Sequence, residues 1–231
     1  MDCFAPLAMT LISCNDPIRH CEEQGDEAVF DNEKGNSRDM IEIRWHGRGG
    51  QGVKTAALLL ADAAFDAGLF VQGFPEYGPE RMGAPITAYN RIDEEPIRIH
   101  SGIYEPDMVV VVDETLITSV NVCAGMKPGG RVVVNSNRKP EHVAAEFEGF
   151  HGEIYAVDAA EISIRNLGKN LPNTPLLSVV AKLTGVIEEN EFFEVMETAF
   201  HEKFPNKPEV VSGNVTALRE AWNGAVLVNG E

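Results

Sequence analysis

Residues 41–64, "IEIRWHGRGGQGVKTAALLLADAA", decide the fold. The first six alternate between apolar and polar, the period of a half-buried strand. Glycines at 47, 49, 50 and 52 follow, and an alanine- and leucine-rich run then predicts a helix from Gly50 to about Ala67. Gly47, Gly49 and Gly52 complete a G-x-G-x-x-G pattern between strand and helix, the context of a dinucleotide-binding turn.

Two common occupants of such a turn fit poorly. A nicotinamide dinucleotide needs an Asp or Glu at the end of the second strand, about 20 residues on, for the ribose hydroxyls. Here that strand reads "LFVQGF" (69–74), and the next acid, Glu76, lies beyond a proline. A Walker A loop needs Lys directly after its last glycine, whereas Lys54 comes one position late. One residue turns a helical side chain by about 100°, so Lys54 points away from a cradled phosphate, and no Walker B partner is evident. Two readings of Gly47, Arg48, Gly49, Gly50, Gln51 and Gly52 stay open. They form an anion site at a helix N-terminus, with charge added by Arg48 and Lys54, or a tight turn packed against another polypeptide. His46 beside the loop is a weaker candidate phosphate donor; a single His at a strand end is more often structural.

Strand and helix patterns recur downstream. "ITAYNRID" (86–93) alternates like a strand with one wet face, and "EEPIRI" reads as a turn and strand. "DMVVVVDE" (107–114) is a continuous apolar run closed by acids, the mark of a strand buried on both faces. "ETLITSVNVCAGM" reads as helical, "KPGGRVVVNSN" as a turn and buried strand, and "EIYAVDA" (153–159) as a further strand. "AAEISIRNLG" predicts a helix closed by Gly168, and helices follow over 174–186, 190–203 and 214–224. The expected fold class is α/β: a Rossmann-like three-layer domain with a mostly parallel sheet and a helical C-terminal part. Asp113 and Glu114 then fall at the carboxyl edge, where such sheets place ligands, or serve as helix N-terminal acids. The loop 75–85, "PEYGPERMGAP", is too long and too charged for a mere connection.

Composition narrows the partners. A net charge of −17 argues against nucleic acid and anionic membrane surfaces, because both need clustered Lys and Arg. No apolar run reaches the roughly 18–20 residues that span a bilayer, so the expected location is cytoplasmic. Cys3, Cys14, Cys21 and Cys123 match neither zinc nor ferredoxin spacing, so this chain holds no cluster; Cys123 is expected as a small apolar residue in a helix. Residues 1–39 hold nine acids against three bases and no sustained period. Their "DCFAPLAMT…RHCEEQGDEA" portion resembles translated palindromic intergenic repeats of bacterial genomes. We therefore expect 1–39 to be a non-native or disordered extension, with Met40 opening the functional domain, 40–231.

"HGRGGQGVKTAALLLADA", "EYGPERMGAPITAYNRID" and "IRIHSGIYEPDMVVVVDETL" together resemble the gamma subunits of the pyruvate:ferredoxin oxidoreductase (pyruvate synthase) family, from Met40 to about Trp222. "GPERMGAPI" is closer to the pyruvate type than to the 2-oxoglutarate type, with branched-chain 2-oxoacid and indolepyruvate enzymes as alternatives. A stand-alone nucleotide-binding module is the rival from another class. The resemblance implies a multi-subunit enzyme that converts pyruvate, coenzyme A (CoA) and oxidised ferredoxin to acetyl-CoA, CO2 and reduced ferredoxin. It places thiamine diphosphate and Mg between alpha and beta subunits, and [4Fe-4S] clusters on beta and ferredoxin-like delta subunits. For this chain it implies a non-catalytic subunit, with Gly47–Gly52 and Arg48 near CoA or a neighbour. Glu76, Tyr77, Glu80 and Arg81 are then candidates for a subunit interface or for CoA.

Overall fold

The computed structural model describes residues 39–76 and 83–229. The opening strand, β1 (Ile41–Arg48), runs through the glycines into α1 (Val53–Asp66). The helix starts three residues later than its apolar spacing predicts. Gly50 and Gly52 hold φ of 98° and 77°, the left-handed region, which a continuing right-handed helix cannot use. The other elements are β2 (Phe70–Pro75), β3 (Pro85–Asp93), β4 (Met108–Val111), β5 (Arg131–Asn135), α2 (Pro140–Ala145), β6 (Glu153–Val157), α3 (Ala159–Leu167), α4 (Asn173–Thr184), α5 (Glu189–Lys203), α6 (Pro208–Gly224) and β7 (Val226–Leu227).

The strands form one sheet in the order β2-β3-β1-β4-β5-β6-β7. Its centre is parallel: β1 pairs with β4, β4 with β5, and β5 with β6. Its edges are antiparallel, because β3 lies between β1 and β2 and β7 pairs back onto β6. The Rossmann-like α/β class is therefore present, with a mixed sheet around a parallel core. The second strand sits at the sheet edge rather than beside the first, so its end cannot supply the ribose acid of a dinucleotide site.

Strand alternation sends side chains to two unlike faces. On one, Ile43, Trp45, Met108, Val110 and Val133 pack under α1, α3, α4, α5 and α6 in the larger core. Alanines let α1 approach closely; a Cβ at Gly73 would come within 3.0 Å of the Ala61 Cβ. Trp45 donates to Asn90 Oδ1 at 2.8 Å, and Asn90 Nδ2 donates to the Ala57 carbonyl at 2.7 Å, tying two strands to α1. Phe192 and Phe193 stack around Trp222 at 5.6 and 5.4 Å, with the Arg219 guanidinium 4.1 Å above Phe193. Burying each such ring contributes about 1.5–3 kcal/mol. The opposite face carries a smaller core of Val109, Val111, Val132, Val134, Val143 and Phe147, covered by α2 and the 113–126 segment.

Several sequence expectations need correction. Residues 114–126 are not a helix: one 3-10 turn, Glu114–Leu116, is followed by turns. Five β-branched residues (Thr115, Ile117, Thr118, Val120, Val122) disfavour helix. Arg44, buried on β1, also takes the Val122 and Ala124 carbonyls at 2.9 and 2.6 Å. Cys123 thus lies in a turn, half-buried, and burial pushes its thiol up to about 11. "EEPIRI" forms no strand; Pro96 has no N–H to donate, and the segment crosses the surface, where Ile99 accepts from Gln72. The last helix begins at Pro208 rather than 214, with proline in its first turn. Neither α2 nor β7 was expected. Residues 1–38 lie outside the described residues, and with them all but the end of the expected extension.

Candidate functional site

The carboxyl ends of the parallel strands converge on the glycine loop, at the point where chain order reverses between β1 and β4. Gly47 is forced by crowding, since a Cβ there would strike Val53 and press on Val112. Gly52 is forced twice, by its φ and by the Asn173 side chain, 2.7 Å from where a Cβ would stand. Gly49 pairs with the returning chain: its N–H donates to Ala84 O at 2.9 Å, and its carbonyl accepts from Gly83 N at 3.2 Å. The glycine loop and the downstream end of the 75–85 loop are thus brought together.

The polar side chains of the loop are turned onto its own scaffold. Gln51 Oε1 accepts from Arg48 N and Gln51 Nε2 donates to Asp113 Oδ2, both at 2.7 Å. Arg48 lies 3.3 Å from the same carboxylate, donates to Thr115 Oγ1 at 2.9 Å and reaches the Gly83 carbonyl at 3.2 Å. Asp113 also accepts from the Thr115 N–H and hydroxyl. Burial raises the Asp113 pKa, but bonds from Thr115 and Gln51 and the Arg48 charge outweigh it and hold the carboxyl below its usual value. Glu114 is likewise engaged, by Ser136 at 2.6 Å and Arg138 at 3.0 Å.

His46 does not face the loop as a donor. It is 8% exposed, its Nε2 accepts from Arg44 Nε at 3.1 Å, and burial followed by the Arg44 charge lowers its pKa to about 4. Glu76 lies at the end of β2, where its carboxylate accepts from the Tyr89 hydroxyl at 2.7 Å. Tyr77, Glu80 and Arg81 lie outside the described residues.

Two cavities flank the glycine loop and differ in charge. One, of about 320 Å³, opens at the strand ends and is lined by Gly50, Gln51, Asp113, Glu114, Asn135 and Asp158 among others. The other, of about 590 Å³, lies on the helical side, against Gly50, Gly52 and Thr55, with Lys169, Lys203 and Lys207 among its lining residues. Sequence reasoning missed the second cavity. Lys169 lies between α3 and α4, Lys203 ends α5 and Lys207 precedes α6, and only the packing of α1, α4, α5 and α6 unites them. Among the described residues, no group of three His, Cys, Asp or Glu could hold a metal ion, and no helix is long and apolar enough to cross a membrane.

Comparison with known proteins follows the same boundaries. A relative from Thermococcus kodakarensis, named pyruvate/ketoisovalerate oxidoreductases common subunit gamma, is 46% identical over 188 residues, 81% of this chain and 98% of the relative. Pyruvate synthase subunit PorC of Thermotoga maritima is 42% identical over 186 residues, covering 80% of this chain and 95% of that one. The crystal structure of the Thermotoga maritima pyruvate oxidoreductase subunit superposes with a TM-score of 0.71 at 38% identity, covering 82% of this chain and 99% of that chain. With the family model matching residues 42–223, the chain belongs to the pyruvate ferredoxin/flavodoxin oxidoreductase family.

Proposed function

We propose that this chain is the gamma subunit of a multi-subunit, thiamine-dependent 2-oxoacid:ferredoxin oxidoreductase acting on pyruvate in the cytoplasm. The complex converts pyruvate, CoA and oxidised ferredoxin to acetyl-CoA, CO2 and reduced ferredoxin. The observation that carries this reading is the occupied polarity of the glycine loop: Arg48 and Gln51 are bound to Asp113, Thr115 and Gly83. A loop of this kind is a rigid surface offered to a neighbour or to a ligand's phosphates, with no catalytic group of its own. Its edge-placed β2 lacks the ribose acid of a stand-alone nicotinamide enzyme.

Thiamine diphosphate, magnesium and the iron–sulfur clusters belong, on this reading, to alpha, beta and ferredoxin-like delta subunits. The backbone of Gly50 and Gly52 faces CoA, and the 76–85 loop docks on a neighbouring subunit. The name of the Thermococcus relative, common to pyruvate and ketoisovalerate enzymes, favours a second reading in which one gamma subunit serves both complexes. Anaerobic capture through a C-terminal tag tests the assembly. Co-elution of thiamine- and cluster-bearing chains supports it, and a lone chain that fully retains its fold contradicts it.

A further inference from the structure

β2 is an outer strand of the sheet, and its pairing with β3 fixes which backbone groups it leaves over. Glu76 N–H donates to the Thr87 carbonyl at 2.9 Å, so the alternate residues Phe74, Gln72 and Phe70 also bond toward β3. Val71 and Gly73 turn their N–H and carbonyl groups outward, where they meet no partner among the described residues. Pro75, next in that series, has no N–H and ends the open stretch. Natural sheet edges are blunted by charged side chains, a bulge or an overlying element. "FVQGFP" holds no charged residue, and its register with β3 runs unbroken from Phe70 to Pro75. Such an edge is a template for another strand.

Apolar side chains stand on both sides of this edge. On one side a Cβ at Gly73 would meet Ala61 of α1, and Leu58 and Phe65 neighbour Ala61 at helical spacing, both exposed. Phe65 is 67% exposed. On the other side Phe70 and Ile99 are exposed, and the Gln72 amide donates to the Ile99 carbonyl at 2.8 Å. An added strand sends successive side chains to alternate faces and so reaches both pairs. Charge then selects the occupant. Asp62 and Asp66 flank Phe65, and Asp93, opposite Phe70, is followed by Glu94 and Glu95. None of these five carboxylates is in an ion pair among the described residues, and Arg98 returns one positive charge on the connection that follows. A second copy of this chain would set the same acids against each other across a two-fold axis, whereas a segment carrying Lys or Arg is attracted.

We infer that β2 receives an extended, basic segment of another subunit of the complex, added to the sheet as a further strand. Its backbone bonds to Val71 and Gly73, its apolar side chains pack on Leu58, Phe65 and Phe70, and its Lys or Arg side chains lie beside Asp62, Asp66 and Glu94. The inference rests on the multi-subunit reading above. It extends that reading, because β2 runs directly into the 76–85 loop proposed there to dock on a neighbour.

Hydrogen exchange at single-amide resolution, on the anaerobically captured complex and on the free full chain, tests it. Val71 and Gly73 are expected to exchange about tenfold more slowly in the complex, the worth of one net hydrogen bond each. Val71→Pro, which removes an outward N–H and no bond to β3, should release the partner chain at lower salt. Phe65→Ser, a surface change that spares the strand, should do the same, and Glu141→Gln on α2 should not. An intact complex in which both amides exchange as in the free chain overturns the inference and leaves the multi-subunit reading standing. A chain captured alone defeats that reading, and the edge is then probed on the lone chain with an alternating Lys-Val peptide. Saturable binding that protects Val71 and Gly73 supports strand addition; no binding, or binding without that protection, overturns it.

Discussion

Gln51 holds Arg48 and Asp113 together through one amide: its oxygen accepts the Arg48 backbone N–H and its nitrogen donates to the Asp113 carboxylate, each at 2.7 Å. That single side chain joins the glycine loop to the end of β4. Gln51→Glu keeps the acceptor but sets a carboxylate against Asp113. Chemical denaturation is expected to show a loss of about 1–3 kcal/mol. Adding Asp113→Asn returns a donor to the pair and should recover most of it. Full stability in the single variant would show that the amide bridge contributes nothing.

Gly52 and Gly50 separate two costs of the loop. Both have positive φ, but a Cβ at Gly52 meets Asn173 whereas at Gly50 it meets nothing. Gly50→Ala is expected to cost about 1–2 kcal/mol from backbone strain alone. Gly52→Ala should cost measurably more, because the Asn173 amide must also shift. Equal melting temperatures in the two variants would contradict this.

His46 makes stability depend on acid. Its folded pKa, about 4, lies below the ordinary 6.5, so above pH 6.5 native and unfolded states carry equal charge there. As pH falls from 6.5 toward 4 the unfolded chain takes up a proton that the native one refuses, and about 3 kcal/mol is lost. Asp113, whose pKa is lowered from 3.8, adds a loss in the same direction at lower pH. In His46→Gln, whose amide oxygen still accepts from Arg44, the unfolding free energy should fall less between pH 6.5 and 4 than in the wild type.

Arg91 is 1% exposed, paired with Glu42 at 2.8 Å, bonded to Gln72 and the Gly102 carbonyl, and lies 5.7 Å from the Phe74 ring centre. It ties β1, β2 and β3 to the 94–107 connection. Arg91→Ala strands Glu42 and should cost about 3–5 kcal/mol, part of which Glu42→Gln restores. Urea titrations of the single and double variants would read the difference.

What was legible in the sequence follows from how local each signal was. "DMVVVV", the Gly168 stop and the strand–glycine–helix unit depend on neighbours in the chain, and each stands in the structure as β4, the end of α3, and β1 with α1. The position of β2 outside β3 was not legible, because pairing partners leave no mark on the strand's own residues. The 114–126 segment read as helical because its turn-forming partner, Arg44, lies 78 residues away from Val122. In the candidate site, the glycines could be read from the pattern. The pairing of Thr115 with Arg48 and of Asn173 with Gly52 needed the fold, since each joins residues far apart in the chain.

The most direct test is oxoacid-dependent viologen reduction by the complex captured anaerobically through this chain, with pyruvate, 2-oxoglutarate, 2-oxoisovalerate and indolepyruvate compared with and without CoA. The account predicts reduction that requires CoA and is fastest with pyruvate. An intact captured complex that reduces viologen with none of the four acids would contradict it.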